Sequence, residues 1–594
     1  MKLIFVDSLP EGGGTCARYD RRRCATAGWT DADLRSILRR RQEEWLVGLD
    51  DWHAELGRRA NATTPAWWLF PGSRLTPWYP VDLKPLFMAL AAVEFAGDSA
   101  QGAVHLVGWP REAYEYAAEF CAALGSAHTV LGRAAPAADE PGFLRALLRA
   151  ARTTAGLAAR ILRGNAVAAH RARIVAFSYS LNAKNLETLG DHYFVDALDH
   201  ATGLSKDDVL WVYHLDNFRE RARVEKALSS RGRRFIFYTD LLSLADLPGI
   251  VGWCLRERSR LLPLEARLPV LRVGGRESRT FPSIFFRRCV RLELPLIERA
   301  VAIAAARLFE STQPDALVYP YEEKGIERAL LQSRPRGLRA VAFAHPTYNS
   351  GHRYLRRMGT SADQPRPDLT AVTGPAAREW FIRWAGLRAE SVVSVGSPRF
   401  PAAKPRGTVD EQPRPGSPLR VLYLSGYPGE TMALANFVEE LPGLFDGCEL
   451  WVRAYPYGWQ AEVEAGIARL RGRVTHLRLD DAPLDEQVAW CDTVLFASTS
   501  AGIHAMLRGR IGLLTDLHDA FAGDPTEGRG VEQAPQRCAN PAELKETLSR
   551  LRAMTPDEYA AVARQNAQTA SALYAPSDPA AWAAALTGQE AARV

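Results

Sequence analysis

Residues 319–330 read YPYEEKGIERAL and crowd three carboxylates, Glu322, Glu323 and Glu327, into one short segment. Glu323 and Glu327 are four apart and share a helix face if the helix starts that early. Crowded carboxylates raise one another's pKa, and a raised pKa suits a general base or acid near neutral pH. Acids also settle at helix N-termini, where the macrodipole favours them. Capping accounts for one or two of the three and leaves Glu327 the least explained. Residues 343–352, FAHPTYNSGH, end an apolar run on His345, and proline stops the strand behind it. Most lone histidines are structural. One at the same end of a sheet as the glutamates is a candidate proton shuttle, or a donor to a phosphate or leaving oxygen. His352 on the following loop is a weaker candidate.

A second set of residues suits an anion. Ser498, Thr499 and Ser500 follow the apolar run 493–497 (TVLFA), and a helical pattern begins at once. Hydroxyls and free helix N–H groups then converge beyond a strand's carboxyl end, a ready phosphate site, although N-capping alone explains such residues too. Arg453 closes the run 449–454 (ELWVRA), and Ser425 and Gly426 close 419–425 (LRVLYLS). Arginine, hydroxyls and a helix terminus make a phosphate clamp, while a plain surface arginine is an equal alternative for Arg453. Gly396, Ser397 and Arg399 offer a close-approach glycine and a guanidinium fork, or simply a turn. No GxGxxG or Walker pattern is present. Asp50-Asp51 and Asp480-Asp481 lack a strand context, so the expected chemistry is metal-independent, with no metal ligand and no cofactor.

The elements that must position these groups alternate. Strands are expected at 173–179, 209–213, 234–238, 316–319, 339–344, 369–373 and 391–395, with helices at 326–332 and 376–384. Residues 401–418 (PAAKPRGTVDEQPRPGSP) hold five prolines and little to bury, and read as a linker. Beyond them come strands at 419–425, 449–454, 474–477, 493–497 and 511–515, with helices between. This rhythm implies parallel sheets covered on both faces. The expected fold is α/β, with two Rossmann-like domains (166–404 and 419–575) facing a central cleft across a linker at 405–418. An N-terminal α/β region, 1–165, has strand candidates at 2–6 and 103–107. Beyond Pro556 the pattern is mostly helical and is expected to pack back across the domain boundary, with 576–594 as the C-terminal tail.

At 594 residues the chain is too long for one domain. It is 47% hydrophobic and 24% charged, as ordinary soluble proteins are. No apolar run nears the roughly 18 residues of a membrane span, and the N-terminus lacks a signal-peptide core. The eight cysteines are scattered without a CxxC pair. A net charge of +6 is mildly basic, and clusters such as Arg21 to Arg23 or Arg231 to Arg234 read as solvated faces or as contacts to anionic headgroups. No nucleic-acid signature is present. A cytoplasmic protein is expected, with peripheral association on the inner face of the cell membrane.

Together these segments resemble GT-B glycosyltransferases of bacterial surface-carbohydrate assembly. The similarity runs in patches over residues 170–520. It rests on YEEKGIERALL, with Glu322 and Glu327 in an ExxxxE helix start, on AFAHPTYNSGHRYL, and on FSYSLN (177–182) and GDHYFVDAL (190–198). A wider resemblance is to sialyl- and Kdo transferases that use CMP-sugars. Glu322-Glu323-Lys324-Gly325 approximates their acidic element, and Ser498 to Gly502 (STSAG) their Ser/Thr-Ser element. Their His-Pro slot here holds Tyr455-Pro456, and the His-Pro of this chain falls at His345. The resemblance implies transfer of a sugar, Kdo or another ulosonic acid among them, from a nucleotide donor with a CMP-linked one favoured. The acceptor would be a saccharide or lipid-linked glycan. Glu322 or Glu323 would activate the acceptor, and His345 and Glu327 would orient the reactants. Gly396, Ser397, Arg399, Ser425, Gly426, Arg453, Tyr455, Ser498, Thr499, Ser500 and Gly502 would hold the donor. A CDP-alcohol polyol-phosphate transferase and a non-catalytic assembly protein are the alternatives.

Overall fold

A computed structural model describes residues 3–6, 14–18, 29–31, 34–73, 83–98, 104–109, 111–122, 143–164, 171–180, 186–187, 191–215, 218–322, 324–345, 364–399, 418–426, 428–454, 460–480, 482–515, 525–526 and 535–588. The chain is α/β, with three parallel sheets. The N-terminal one joins β1 (Leu3–Val6), β2 (Gly14–Arg18), β3 (Trp29–Asp31) and β4 (Val104–Val107) in the order β1-β4-β2-β3. β2 and β3 were not expected, because GTCAR and WTD are short and carry almost no apolar pattern.

The central sheet contains β5 (Ile174–Ser180), β6 (Val209–Leu215) and β7 (Phe235–Phe237). A hairpin, β8 (Leu271–Val273) and β9 (Arg276–Ser278), intervenes. The sheet resumes with β10 (Ala316–Pro320), β11 (Arg339–Ala344), β12 (Leu369–Val372) and β13 (Val392–Ser394). All seven strands run parallel in the order β13-β12-β11-β10-β5-β6-β7. Every residue of β6 and β10 is buried, as a parallel sheet with two covered faces requires. Strand order reverses between β5 and β10, which leaves a crevice outside their carboxyl ends.

The third sheet joins β14 (Leu419–Leu424), β15 (Cys448–Arg453), β16 (Leu477–Arg478), β17 (Thr493–Phe496), β18 (Ile511–Thr515) and β19 (Gln536–Cys538). Its order is β16-β15-β14-β17-β18-β19, again parallel, and it reverses between β14 and β17. Two Rossmann-like sheets, each with its own switch point, give the GT-B-like layout that the alternation of elements implies.

Two excursions tie these units together. Residues 261–290 leave the central sheet and pack into the N-terminal core, where Phe281 and Phe285 meet Trp52 edge-on at 5.2 and 5.1 Å. At the other end, helix Pro556–Leu573 packs on the third sheet, and helix Pro579–Thr587 crosses to the central domain. There Trp582 is fully buried, 4.9 Å from Phe343 and 6.1 Å from Phe194.

Candidate functional site

The crevice at the β5–β10 switch gathers groups from four segments. β10 ends at Pro320, and the next helix begins at Gly325, with Lys324 as its N-cap residue. Glu323 lies outside the described residues. Glu327, 2% exposed, turns back over this connection and accepts the Glu322 backbone N–H at 3.1 Å on each oxygen. The Tyr179 hydroxyl at the end of β5 donates to the same carboxylate at 3.1 Å. Glu327 thus holds the connection between β10 and the helix by accepting a backbone N–H two residues ahead of the N-cap.

Glu322 is the carboxylate that meets the histidine. It pairs with Lys324, whose ammonium lies 4.0 Å from the centre of the Tyr179 ring. His345, at the carboxyl end of β11, places Nε2 4.0 Å from Glu322 Oε1. The histidine is 8% exposed, and its Nδ1 is enclosed without a hydrogen-bond partner among the described residues. Burial pushes its pKa well below the ordinary value, and the positive charges of Arg399 and Lys324 add to this. The imidazole is thus neutral at physiological pH, with one ring nitrogen a donor and the other an acceptor. His352 lies outside the described residues.

Sequence reasoning missed the loop that completes this cluster. Asp191 accepts the N–H groups of Tyr193 and Phe194, both at 2.8 Å, and the Ser178 hydroxyl at 2.7 Å. Those bonds hold a tight turn in which Val195 has φ 51°, a costly conformation for a β-branched residue. The turn sets Tyr193 edge-on to His345, ring centres 4.6 Å apart, with His192 4.8 Å from Tyr193. Burial, then Glu322, holds the Tyr193 phenol well above its ordinary pKa. The segment GDHYFVDAL was legible only as a likeness, since a lone Asp before an aromatic pair has no spacing rule of its own.

Arg399 belongs to this cluster and not to a separate phosphate clamp. Its Nε donates to the His192 carbonyl at 2.7 Å, and its guanidinium lies 6.0 Å from the Tyr193 ring centre. Gly396 and Ser397 are structural. Gly396 has φ 76°, and a Cβ there would stand 1.9 Å from the Pro576 carbonyl oxygen. The Ser397 N–H donates to Ala575 at 2.8 Å, so the C-terminal segment already occupies this turn.

Glu298 is a further carboxylate that the sequence did not single out. It lies in the first turn of helix Leu296–Thr312, against Gly325. A Cβ on Gly325 would come 2.7 Å from Glu298 Cγ and 3.1 Å from the Leu69 carbonyl, so glycine is needed for this approach. Burial, with Glu293 nearby, raises the Glu298 carboxyl to about 7.

At the β14–β17 switch the hydroxyls divide their roles. Glu430 is fully buried, accepts the Gly426 N–H at 2.6 Å, and takes the Ser498 hydroxyl on its other oxygen. Thr431 donates to Ser425 at 3.2 Å. Thr499 is the N-cap of helix Ser500–Leu507 and accepts the Ala501 N–H at 3.2 Å. Gly502 lies against the Phe496 ring, where a Cβ would sit 2.3 Å from Cγ. These contacts correct the expectation that three hydroxyls and Gly502 converge on one ligand. All three hydroxyl residues are half-buried, and of the three Ser500 has no side-chain hydrogen bond among the described residues. Arg453 is also committed, to the Ala482 carbonyl at 2.9 Å and Gln487 Oε1 at 2.8 Å. Tyr455 lies outside the described residues. Among the described residues no group of three or more His, Cys, Asp or Glu side chains could hold a metal ion.

No family model matches the chain, and no curated protein matches it. Among solved structures, the UDP-GlcNAc 2-epimerase from Neisseria meningitidis bound to UDP-GlcNAc is similar with TM-score 0.40 at 9% identity, covering 67% of this chain and 96% of that one. Anabaena HepE in complex with UDP and glucose gives 0.39 at 14%, covering 70% and 98%. The glycosyltransferase SnogD from Streptomyces nogalater gives 0.39 at 15%, covering 70% and 99%.

Proposed function

We propose that this chain is a glycosyltransferase that moves a sugar from a nucleotide donor to a hydroxyl acceptor, without a metal. One observation carries the reading. Two parallel sheets each open a switch-point crevice, and the central one holds Glu322 beside a buried neutral His345 whose Nδ1 has no partner among the described residues. A neutral imidazole 4.0 Å from the Glu322 carboxylate can take a proton and share the resulting charge with that carboxylate. The acceptor oxygen attacks the anomeric carbon, its proton passes to the His345–Glu322 pair, and the bond from the anomeric carbon to the donor phosphate breaks. Tyr193 packs edge-on against the imidazole, and Arg399 fixes the turn that carries Tyr193 through the His192 carbonyl. The nucleotide is assigned to the β14–β17 crevice, where Ser500 and the first N–H groups of its helix favour a phosphate. CMP-linked donors, with a Kdo-like ulosonic acid as the sugar, remain the favoured class, and a surface glycan or its lipid-linked precursor the favoured acceptor.

The deciding experiment screens purified protein for hydrolysis and binding of CMP-, UDP- and GDP-sugars. Turnover of one class, abolished by His345→Gln, supports the reading. Absence of both binding and turnover with every one of them refutes it.

A further inference from the structure

Helix Phe143–Leu162 presents three faces. Ala150, Leu157 and Ile161 pack into the central core. Turning about 100° per residue, the next arc carries Leu147, Leu148 and Leu162 with Ala151, Ala155 and Ala159 between them. These leucines are 54%, 48% and 70% exposed, and they are three of the five large apolar side chains that stand exposed among the described residues. The third arc carries Arg149, Arg152, Arg160 and, just past the helix, Arg163. Residues 143–164 contain five arginines and no acidic residue.

We propose that this helix docks the protein on an anionic lipid bilayer, leucines in the headgroup–acyl boundary and arginines on the phosphates. Leucine exposure on a segment with five arginines and no acid of its own selects this occupant, with Arg152 the arginine on the phosphates that the test removes. A nucleic acid would meet the arginines and leave the leucines in water. No helix among the described residues is long and apolar enough to cross a membrane, so docking is from one side. The helix is anchored for the task. Arg149 pairs with Glu293 at its start, and Gly164 at its end lies against Asp240, whose carboxylate would stand 3.0 Å from a Cβ there. The Glu293 contact also sets the first turns beside the segment that leads to Glu298 and Gly325. The two ends of the helix are therefore tied to the central domain at Glu293 and Asp240. The proposal does not depend on which reaction occurs there.

The test is sedimentation of the full chain with phosphatidylcholine vesicles, with and without one-third phosphatidylglycerol, at low and high salt. Binding should require phosphatidylglycerol and weaken with salt. Arg152→Ala should weaken it about fivefold, and Leu148→Asp with Leu162→Asp by roughly tenfold or more. Melting temperature and donor hydrolysis in solution should stay unchanged in both variants, which separates docking from catalysis. Equal binding to neutral vesicles, no binding, or leucine variants that pellet like wild type would overturn the proposal. So would a dimer that the leucine substitutions dissolve, since a second copy would then be the occupant, or RNA retention without vesicle binding.

Discussion

His345 Nε2 stands 4.0 Å from Glu322 Oε1, across the carboxyl ends of two adjacent parallel strands, with the Tyr193 ring edge-on behind the imidazole. A pair separated by so little yet drawn from residues 23 positions apart in sequence is fixed by strand register, because β10 and β11 run in parallel and end together. If the pair takes the acceptor proton, Glu322→Gln and His345→Gln should each lower kcat by roughly 10²–10⁴-fold while donor affinity holds. Steady-state kinetics with paired titration calorimetry would show this, and wild-type turnover in both variants would remove the pair from the mechanism.

The same imidazole should stay neutral. Burial and the charges of Arg399 and Lys324 hold its pKa well below the ordinary value. Its ring ¹⁵N shifts should therefore remain those of a neutral histidine from pH 6 upward. A titration midpoint near the ordinary value of about 6.5 would contradict this.

Glu298 sets the opposite kind of pH dependence. Its carboxyl rises from 4.5 in the unfolded chain to about 7 in the folded one. The folded state then binds the extra proton between those values, so stability from this group is present below pH 4.5 and is lost as pH rises through 7. The loss should be on the order of 3 kcal/mol, and Glu298→Gln should flatten it. Denaturant melts at several pH values would show the slope, and an unchanged slope in the variant would place its origin elsewhere.

Thr499 and Ser500, adjacent in sequence, should separate cleanly. Thr499→Ala removes an N-cap and should cost about 1 kcal/mol of stability. Ser500→Ala should leave the melting curve alone and weaken nucleotide binding about tenfold, as loss of a hydrogen bond to a charged group does. If Ser500→Ala binds nucleotide like wild type, the donor phosphate lies elsewhere.

Trp582 should matter to a sheet more than two hundred residues away in sequence. Trp582→Ala empties the space against Phe343 and Phe194 and should cost about 3–5 kcal/mol. Trp582→Phe keeps a ring and loses an N–H that has no acceptor among the described residues, so it should cost less. Equal midpoints for the two variants in a denaturant titration would argue against this packing.

The alternation of strands and helices was legible because parallel strands buried on both faces write continuous apolar runs, as at 316–320 and 493–496. Glu322 and His345 were legible for the same reason, each standing where such a run stops. The partners of Arg453 and Ser498 were not legible, because sequence gives a strand end but not its neighbours. Gln487 and Glu430, which bind them, come from segments with no mark of their own. The turn at Asp191 was missed because a positive φ at a valine has no signature in residue type. The N-terminal core was opaque because part of it is supplied by residues 261–290, far along the chain.

That last arrangement bears on how the chain is made. The N-terminal core cannot close when Cys121 leaves the ribosome, since Phe281, Phe285 and Val290 are still unsynthesised. At about 5–20 residues per second, the wait is roughly ten to thirty seconds. During it, Trp52 and Trp67 have no partners from the later segment, and the nascent chain offers chaperones an apolar surface. Ribosome-bound chains halted before residue 261 should be cut readily by protease in their first 120 residues, whereas chains released beyond residue 300 should resist. Equal resistance in the two would mean that the N-terminal core closes without its late segment.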